Sequence, residues 1–388
     1  MIVLVRKWVL KIAFVLFRPL RVRPRVAFAT AYASHLSGNL AFIRDELARQ
    51  APSVEVVVIA VSTTRGLLGG LRTLWGVIMG EYFLATSRVF IVDDYYFPLY
   101  VVRPKPETTV IQTWHASGAF KKVGLSVVGK DFGANESLVR HVKIHSNYHH
   151  ILMGSKTWVP AYTEAFGQPA EKFVTDLGIP RTDLFFDHAR VEEAIARVRQ
   201  KYDLPAEKKV ILYAPTFRGS SKNSATFKDD LDFELMRAMC GAEWVLLLRL
   251  HPVVAHASML DPTLEGFVYD ATDHPDINEL LLVSDLLVTD YSSVIFEYSL
   301  LGRPMVFFAP DYAAYELERG FYFDYAQGVP GPVFETTEGV ANYIAAGEFD
   351  TDRVEEFRKL SFEVADGHAS RRFVERLVLP ALDTTRRR

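Results

Sequence analysis

Between Leu286 and Phe308 the chain reads LLVTDYSSVIFEYSLLGRPMVFF, an apolar run, a short polar turn, a helical pattern and a second apolar run. Strands joined through a helix are parallel neighbours, so this order restricts the chain to sheets carrying helices on their faces. The same alternation recurs along the chain. Strands are expected at Val26–Thr30, Val54–Val61, Val89–Val92, Thr109–Thr113 and Val142–His145, then at Val210–Tyr213, Trp244–Leu250, Leu286–Thr289 and Met305–Phe308. Helical patterns fall at Leu40–Arg49, Val159–Phe166, Val191–Lys201, Leu231–Met239, Ile277–Val283, Val294–Leu301 and Asp352–Lys359. A length of 388 residues suits two such doubly wound α/β domains facing each other. The expected division is a first domain over 25–185, a linker helix and turn over 186–208, a second domain over 209–350, and a helical segment with a basic tail over 351–388.

Charge is distributed unevenly. The net charge of −3 argues against a dedicated nucleic-acid binder, whose surface needs excess Lys and Arg. A single cysteine, Cys240, permits no internal disulfide and suits a reducing compartment. No acidic residue precedes Asp45, whereas Arg6, Lys7, Lys11, Arg18, Arg21, Arg23 and Arg25 crowd the start among Trp8, Ile12, Phe14 and Leu16. These bases interrupt the run too often for a spanning helix, so residues 1–24 are expected to lie on an anionic membrane surface. The competing readings are a helix packed on the protein's own body and a signal peptide, which lacks a small-residue cleavage site here.

In open α/β sheets ligands bind beyond the carboxyl ends of the strands. Five apolar runs end in polar clusters: Ser34–Asn39, including Gly38 and Asn39; Trp114–Gly118, with Lys121 close behind; Ala214–Gly219, including Thr216 and Arg218; Arg249-Leu250-His251-Pro252; and Asp290-Tyr291-Ser292-Ser293. A phosphate has a natural seat at Ser292 and Ser293, where backbone N–H groups meet the positive end of a helix dipole; an ordinary helix cap is the alternative. His115, beside Ser117, Gly118, Lys121 and Lys122, suits a general base, and His251 emerges from the other domain toward the same cleft. Both histidines also admit a purely structural reading. The cluster HSNYHH (145–150) has no ligand at zinc-type spacing, and Asp93-Asp94 end a strand where they orient a ligand or simply form a turn. No Gly-x-Gly-x-x-Gly or P-loop pattern occurs.

Together these segments resemble the CDP-glycerol glycerophosphotransferase family, which builds teichoic acid backbones. The resemblance runs from Val26 to Pro332 through SGN (37–39), TWHASGAFKKVG (113–124), LGIPRTD (177–183), ILYAPTFRG (211–219), LRLHP (248–252), SDLLVTDYSSVIFEYSLLGRPMVFF (284–308) and ERGFYFDYAQGVPGP (318–332). It implies a GT-B-like fold, two Rossmann-like domains around a cleft, attached to the cytoplasmic face of the membrane. Position by position it implies His115 as the base that activates the acceptor hydroxyl, with Arg218 and His251 around the nucleotide diphosphate. Ser292 and Ser293 match the family's paired serines, Glu297 an acidic position for a ribose or glycerol hydroxyl, and Arg319 an Arg-Gly segment near phosphate.

The implied reaction moves glycerol phosphate from CDP-glycerol to a membrane-linked acceptor and releases CMP. Gly38, Asn39, Lys121, Thr216, Arg249 and Asp290 join the expected substrate contacts. No cofactor is required, because bases and dipoles meet the diphosphate's charge, although the scheme leaves room for Mg²⁺. Ala116-Ser117-Gly118 departs from the Gly-Thr-Pro that many members carry after the histidine, which leaves the acceptor and the alditol open, CDP-ribitol included. A nucleotide-sugar glycosyltransferase of the same fold and a noncatalytic nucleotide sensor are the other classes. Priming and polymerisation remain undistinguished.

Overall fold

The computed structural model describes residues 2–31, 33–60, 67–130, 136–218, 231–250 and 261–383. The first sheet contains β1 (Arg23–Thr30), β2 (Glu55–Ala60), β3 (Ser87–Val92), β4 (Thr109–Gln112), β5 (His150–Leu152) and β6 (Phe173–Val174), in the order β2-β1-β3-β4-β5-β6. The second contains β7 (Lys209–Tyr213), β8 (Trp244–Leu248), β9 (Val268–Asp270), β10 (Leu286–Thr289), β11 (Met305–Phe308) and β12 (Val333–Phe334), in the order β12-β11-β10-β7-β8-β9. Every pairing is parallel. Helices cover both faces, so central strands such as β3 (SRVFIV) and β8 (WVLLL) are buried throughout. The result is two Rossmann-like domains in a GT-B-like arrangement. Strand order reverses between β1 and β3 in one sheet and between β7 and β10 in the other, and each reversal opens a crevice at the carboxyl ends.

The expected strand at Val142–His145 does not form. Val142 and Ile144 are buried, but His145 and Asn147 take φ values of +57° and +70°, which no strand accommodates. The strand comes instead at β5. β6, β9 and β12, two or three residues each, are too short to show a periodic signal.

The amino-terminal segment is a continuous helix, Ile2–Phe17, packed against a second apolar helix, Leu67–Thr86. Leu10 and Phe14 join the core of the first domain, while Trp8 (60% exposed), Ile12 and Leu16 point outward near the exposed Leu74 and Trp75. The helix therefore packs on the body with one face and presents an apolar face with the other. Among the described residues no helix is long and apolar enough to cross a membrane.

At its far end the chain returns to the first domain. Asp183 accepts the backbone N–H groups of Ala369 and Ser370, both at 2.8 Å, at the start of the helix Ala369–Phe373. Arg372 Nε donates to Leu177 O, and Arg88 Nε donates to Ala381 O. This returning helix ties both ends of the chain to one domain. Asp183→Ala leaves two helix-start N–H groups without their acceptor and is expected to lower stability by about 1–2 kcal/mol in urea unfolding. Asp183→Asn, which keeps one acceptor oxygen, restores part of it; an alanine variant as stable as the parent contradicts the tie.

Candidate active site

Beyond β4 the backbone turns sharply at Trp114, whose φ of +53° is a conformation bulky residues rarely adopt. The turn is held from several sides. Trp114 N–H donates to Gln112 Oε1 at 2.8 Å, and the Asn39 amide donates to Thr113 O at 3.3 Å and Trp114 O at 3.1 Å. The indole is buried edge-on against Tyr162 and Phe166. This turn leaves the next side chain, His115, half exposed (52%) against the Trp114 ring, with Nδ1 3.1 Å from Asp94 Oδ2. A carboxylate partner favours the proton on Nδ1, so Nε2 carries the free lone pair. Asp94 arrives from the end of β3, the neighbouring strand. Its neighbour Asp93 differs: burial, then the adjacent Asp94 charge, pushes it up to about 6.

The opposite crevice, between β7 and β10, is a charge network. Asp290 accepts from Thr216 N (2.8 Å), Thr216 Oγ1 (2.9 Å) and Arg218 Nη1 (2.8 Å). Arg218 also donates through Nε (2.6 Å) and Nη2 (3.1 Å) to Asp311, and its guanidinium lies over the rings of Tyr291 and Tyr315. Burial works against that charge, but Asp290 and Asp311 outweigh it and hold Arg218 above its ordinary value. Among the described residues one Nη2–H of Arg218 remains without an acceptor. Thr216, Arg218 and Asp290, expected as substrate contacts, spend most of their bonding on one another.

The charge left for a ligand comes from across the crevice. Lys121 ends the loop that begins at His115, and this loop is laced to the second domain by an antiparallel bridge between Lys121 and Phe321 and by Lys122 N–H to Gly320 O at 3.1 Å. Burial first, then the positive charges of Arg319 and Arg218, push the Lys121 ammonium down to about 7, with Asp290 opposing. A buried lysine beside two further cations is a seat that an anion would complete. Six residues separate His115 from Lys121, so base and seat lie within about 20 Å.

The other expected residues fall elsewhere. Ser293 precedes the helix Val294–Ser299 without capping it, and Ser292 Oγ accepts Val294 N–H only at 3.5 Å. That helix has six residues, so its dipole is weak and the pair offers hydroxyls and backbone N–H groups rather than a strong helix end. Glu297, expected at a ligand hydroxyl, is 4% exposed and accepts through Oε1 from Arg181 Nη2 (2.5 Å), Arg181 Nε (3.2 Å) and Ser117 Oγ. Asn39 braces the His115 turn and accepts Arg181 N–H at 3.1 Å, while Gly38 supplies a φ of +52° at the start of its helix. Arg249 is buried and donates through Nη1 to Leu250 O and Thr272 O, fixing the loop after β8. In each case polar groups at the strand ends bond to one another. His251 lies outside the described residues.

Arg181 and Asp311 are the site residues that sequence reasoning missed, whereas Asp94 was singled out with Asp93 at its strand end but not paired with His115. Asp311 follows β11 as the other clusters follow their strands, and that rule applied once more would have found it. Among the histidines, His145 is buried against Phe166 with burial pushing it down to about 3, and His149 Nδ1 accepts Val110 N–H. Among the described residues no three His, Cys, Asp or Glu side chains stand as a metal-ligand group.

Affinity for an anion at this seat is expected to weaken as pH rises through about 7, because anion binding favours the protonated lysine and the free-state ammonium is lost there. Lys121→Arg, charged throughout, flattens this dependence. Calorimetry of inorganic pyrophosphate binding from pH 6 to 9 checks it, and parallel pH profiles for parent and variant reject Lys121 as the titrating group.

The family model described as CDP-Glycerol:Poly(glycerophosphate) glycerophosphotransferase matches residues 11–379. The teichoic acid ribitol-phosphate primase of Bacillus spizizenii is 39% identical over 353 residues, 90% of each chain. The teichoic acid poly(glycerol phosphate) polymerase of Bacillus subtilis is 37% identical over 275 residues, 69% of this chain and 35% of the polymerase. The solved structure of the wall teichoic acid polymerase TagF matches with a TM-score of 0.78 at 25% identity, covering 98% of this chain and 95% of that one.

Proposed function

The chain belongs to the CDP-glycerol:poly(glycerophosphate) glycerophosphotransferase family, with teichoic acid primases and polymerases as its relatives, and from that premise we propose that it transfers an alditol phosphate from a CDP-alditol to an acceptor hydroxyl. The observation that carries the reading is the pairing of His115 Nδ1 with Asp94 at 3.1 Å on the loop that delivers Lys121 to the charged crevice. His115 Nε2 takes the proton of the acceptor hydroxyl. The oxygen attacks the alditol-bearing phosphorus, the bond to the bridging oxygen breaks, and CMP leaves with the electron pair. Lys121 and Arg319, with the backbone at Ser292-Ser293, meet the diphosphate's charge, and Arg218 is the scaffold that fixes Asp290 and the Tyr291–Tyr315 stack. Catalysis then rests on positioning and on donors aimed at developing charge.

CDP-ribitol is the donor best supported, because the ribitol-phosphate primase aligns over 90% of both chains. CDP-glycerol is the second reading, supported by the family's description and by the glycerol-phosphate polymerase. Mass spectrometry of products from CDP-ribitol, CDP-glycerol and a nucleotide sugar with a soluble primer decides among them, and sugar transfer alone refutes the reading. His115→Ala is expected to abolish turnover with donor binding retained, and Asp94→Asn to reduce kcat by about 10²–10⁴-fold. Full turnover in His115→Ala refutes the base.

The acceptor is proposed to be membrane-linked, with the apolar face of the helices Ile2–Phe17 and Leu67–Thr86 resting on the bilayer. Leu10 and Phe14 of the amino-terminal helix belong to the core, so only its outward side chains can be changed without disturbing the fold. Trp8→Ser/Ile12→Ser/Leu16→Ser alters only outward side chains and is expected to weaken vesicle binding by at least about tenfold, with soluble-primer turnover kept. Unchanged vesicle sedimentation refutes the membrane face.

A further inference from the structure

A groove of about 1150 Å³ runs between the helix Ile2–Phe17 and the segment 101–106. Lys11, Arg18, Arg103, Lys105 and Lys172 line it, and its lining contains no carboxylate. In a chain of net charge −3, five cations on one groove are a local accumulation. Lys105 leads into β4 and Lys172 into β6, so the groove lies at the amino ends of the strands, opposite the end that carries His115. It is a separate place from the catalytic crevice. The floor is apolar, formed by buried Phe14 and Val101. One wall is the helix that turns Trp8, Ile12 and Leu16 outward, so a bilayer meeting that face would bring its headgroup layer to the groove's mouth.

The cations are held in place. Lys105 Nζ donates to Leu20 O, Lys172 Nζ donates to Gln168 Oε1 at 2.8 Å, and Lys11 Nζ lies over the Trp8 ring. Burial keeps Lys105 below the usual lysine range, with Glu107 opposing and the positive charge of Arg18 adding to the effect.

We infer that this groove is a headgroup site for an anionic phospholipid, engaged when the apolar face rests on the bilayer. The inference depends on the membrane reading above. A phosphodiester carrying acyl chains uses both parts of the site, cations for the phosphate and apolar floor for the glycerol and first methylenes, whereas free phosphate uses only the first. Anionic headgroups attract each nearby Lys or Arg independently of sequence, and enclosure in a groove adds a defined stoichiometry.

The test uses the full chain. Arg103→Gln/Lys105→Gln/Lys172→Gln is compared with a control, Lys201→Gln/Lys209→Gln/Lys359→Gln, that removes the same charge from the exposed surface elsewhere. On phosphatidylcholine vesicles containing phosphatidylglycerol the groove variant is expected to lose about 100-fold in affinity. Binding to pure phosphatidylcholine and turnover on a soluble primer stay at parent values, and the control retains anionic binding. Equal losses in both variants, or none in the groove variant, overturn the site. With the parent protein, short-chain phosphatidylglycerol below its micelle concentration is expected to saturate one site and protect Lys105 from acylation; no protection, or equal protection by inorganic phosphate, also overturns it. A parent that binds neither vesicle sinks the membrane reading itself, whereas vesicle binding without a contribution from the groove sinks only this site.

Discussion

The architecture turns on one buried ion pair. Arg181, from the first domain, holds Glu297 of the second through Nη2 and Nε, while its Nη1 donates to the backbone carbonyl of His115 at 2.5 Å. The two domains and the His115 loop thus meet on a single guanidinium. Such a pair adds little net stability, since desolvation offsets its attraction, but removing one partner strands a buried charge at a cost of about 3–5 kcal/mol. Its value is geometric. With the planar fork bonded on both sides, the relative position of the domains and the height of the His115 loop are set together.

That coupling explains a division of labour. The first domain supplies the imidazole and its carboxylate, and the second supplies a rigid charge network around Arg218 that is nearly saturated by itself. Neither half holds a complete site. Lys121 brings the missing positive charge across the crevice on the same loop as His115, and its depressed pKa reflects how unwelcome that charge is before an anion arrives. On the proposed function, the diphosphate of the donor would relieve repulsion among Lys121, Arg218 and Arg319.

Much of this was legible in the sequence, for identifiable reasons. Runs such as WVLLL and LLVT are buried on both faces in parallel sheets, so hydrophobic continuity revealed the strands, and the rule that ligands gather at carboxyl ends drew attention to His115, Lys121 and Asp290. What stayed hidden was pairing. Asp94 and His115 are 21 residues apart and Arg181 and Glu297 are 116 apart, and no local pattern announces that such groups will consume one another's hydrogen bonds. The sequence could therefore not show that Asn39, Arg249 and Glu297 also bond inside the protein. The strand expected at Val142–His145 failed for a similar reason, because two left-handed residues break the run at a point where composition alone looks extended.

The Ala116-Ser117-Gly118 sequence, which differs from the family's commoner Gly-Thr-Pro, gains a definite meaning from its place in the interface. Ser117 turns its hydroxyl toward Glu297, a contact threonine would also make, so the departure at 117 preserves the bonding group. Gly118 packs directly on Phe296 and Trp158: a Cβ there would stand 2.3 Å from the Phe296 ring and 2.8 Å from the Trp158 indole nitrogen. A larger residue at 118 therefore requires the aromatic cluster of Phe296, Trp158 and Phe357 to move. The substitution belongs to the contact between the domains, and any effect on the acceptor would reach it through the position of the His115 loop rather than through a side chain touching the polymer.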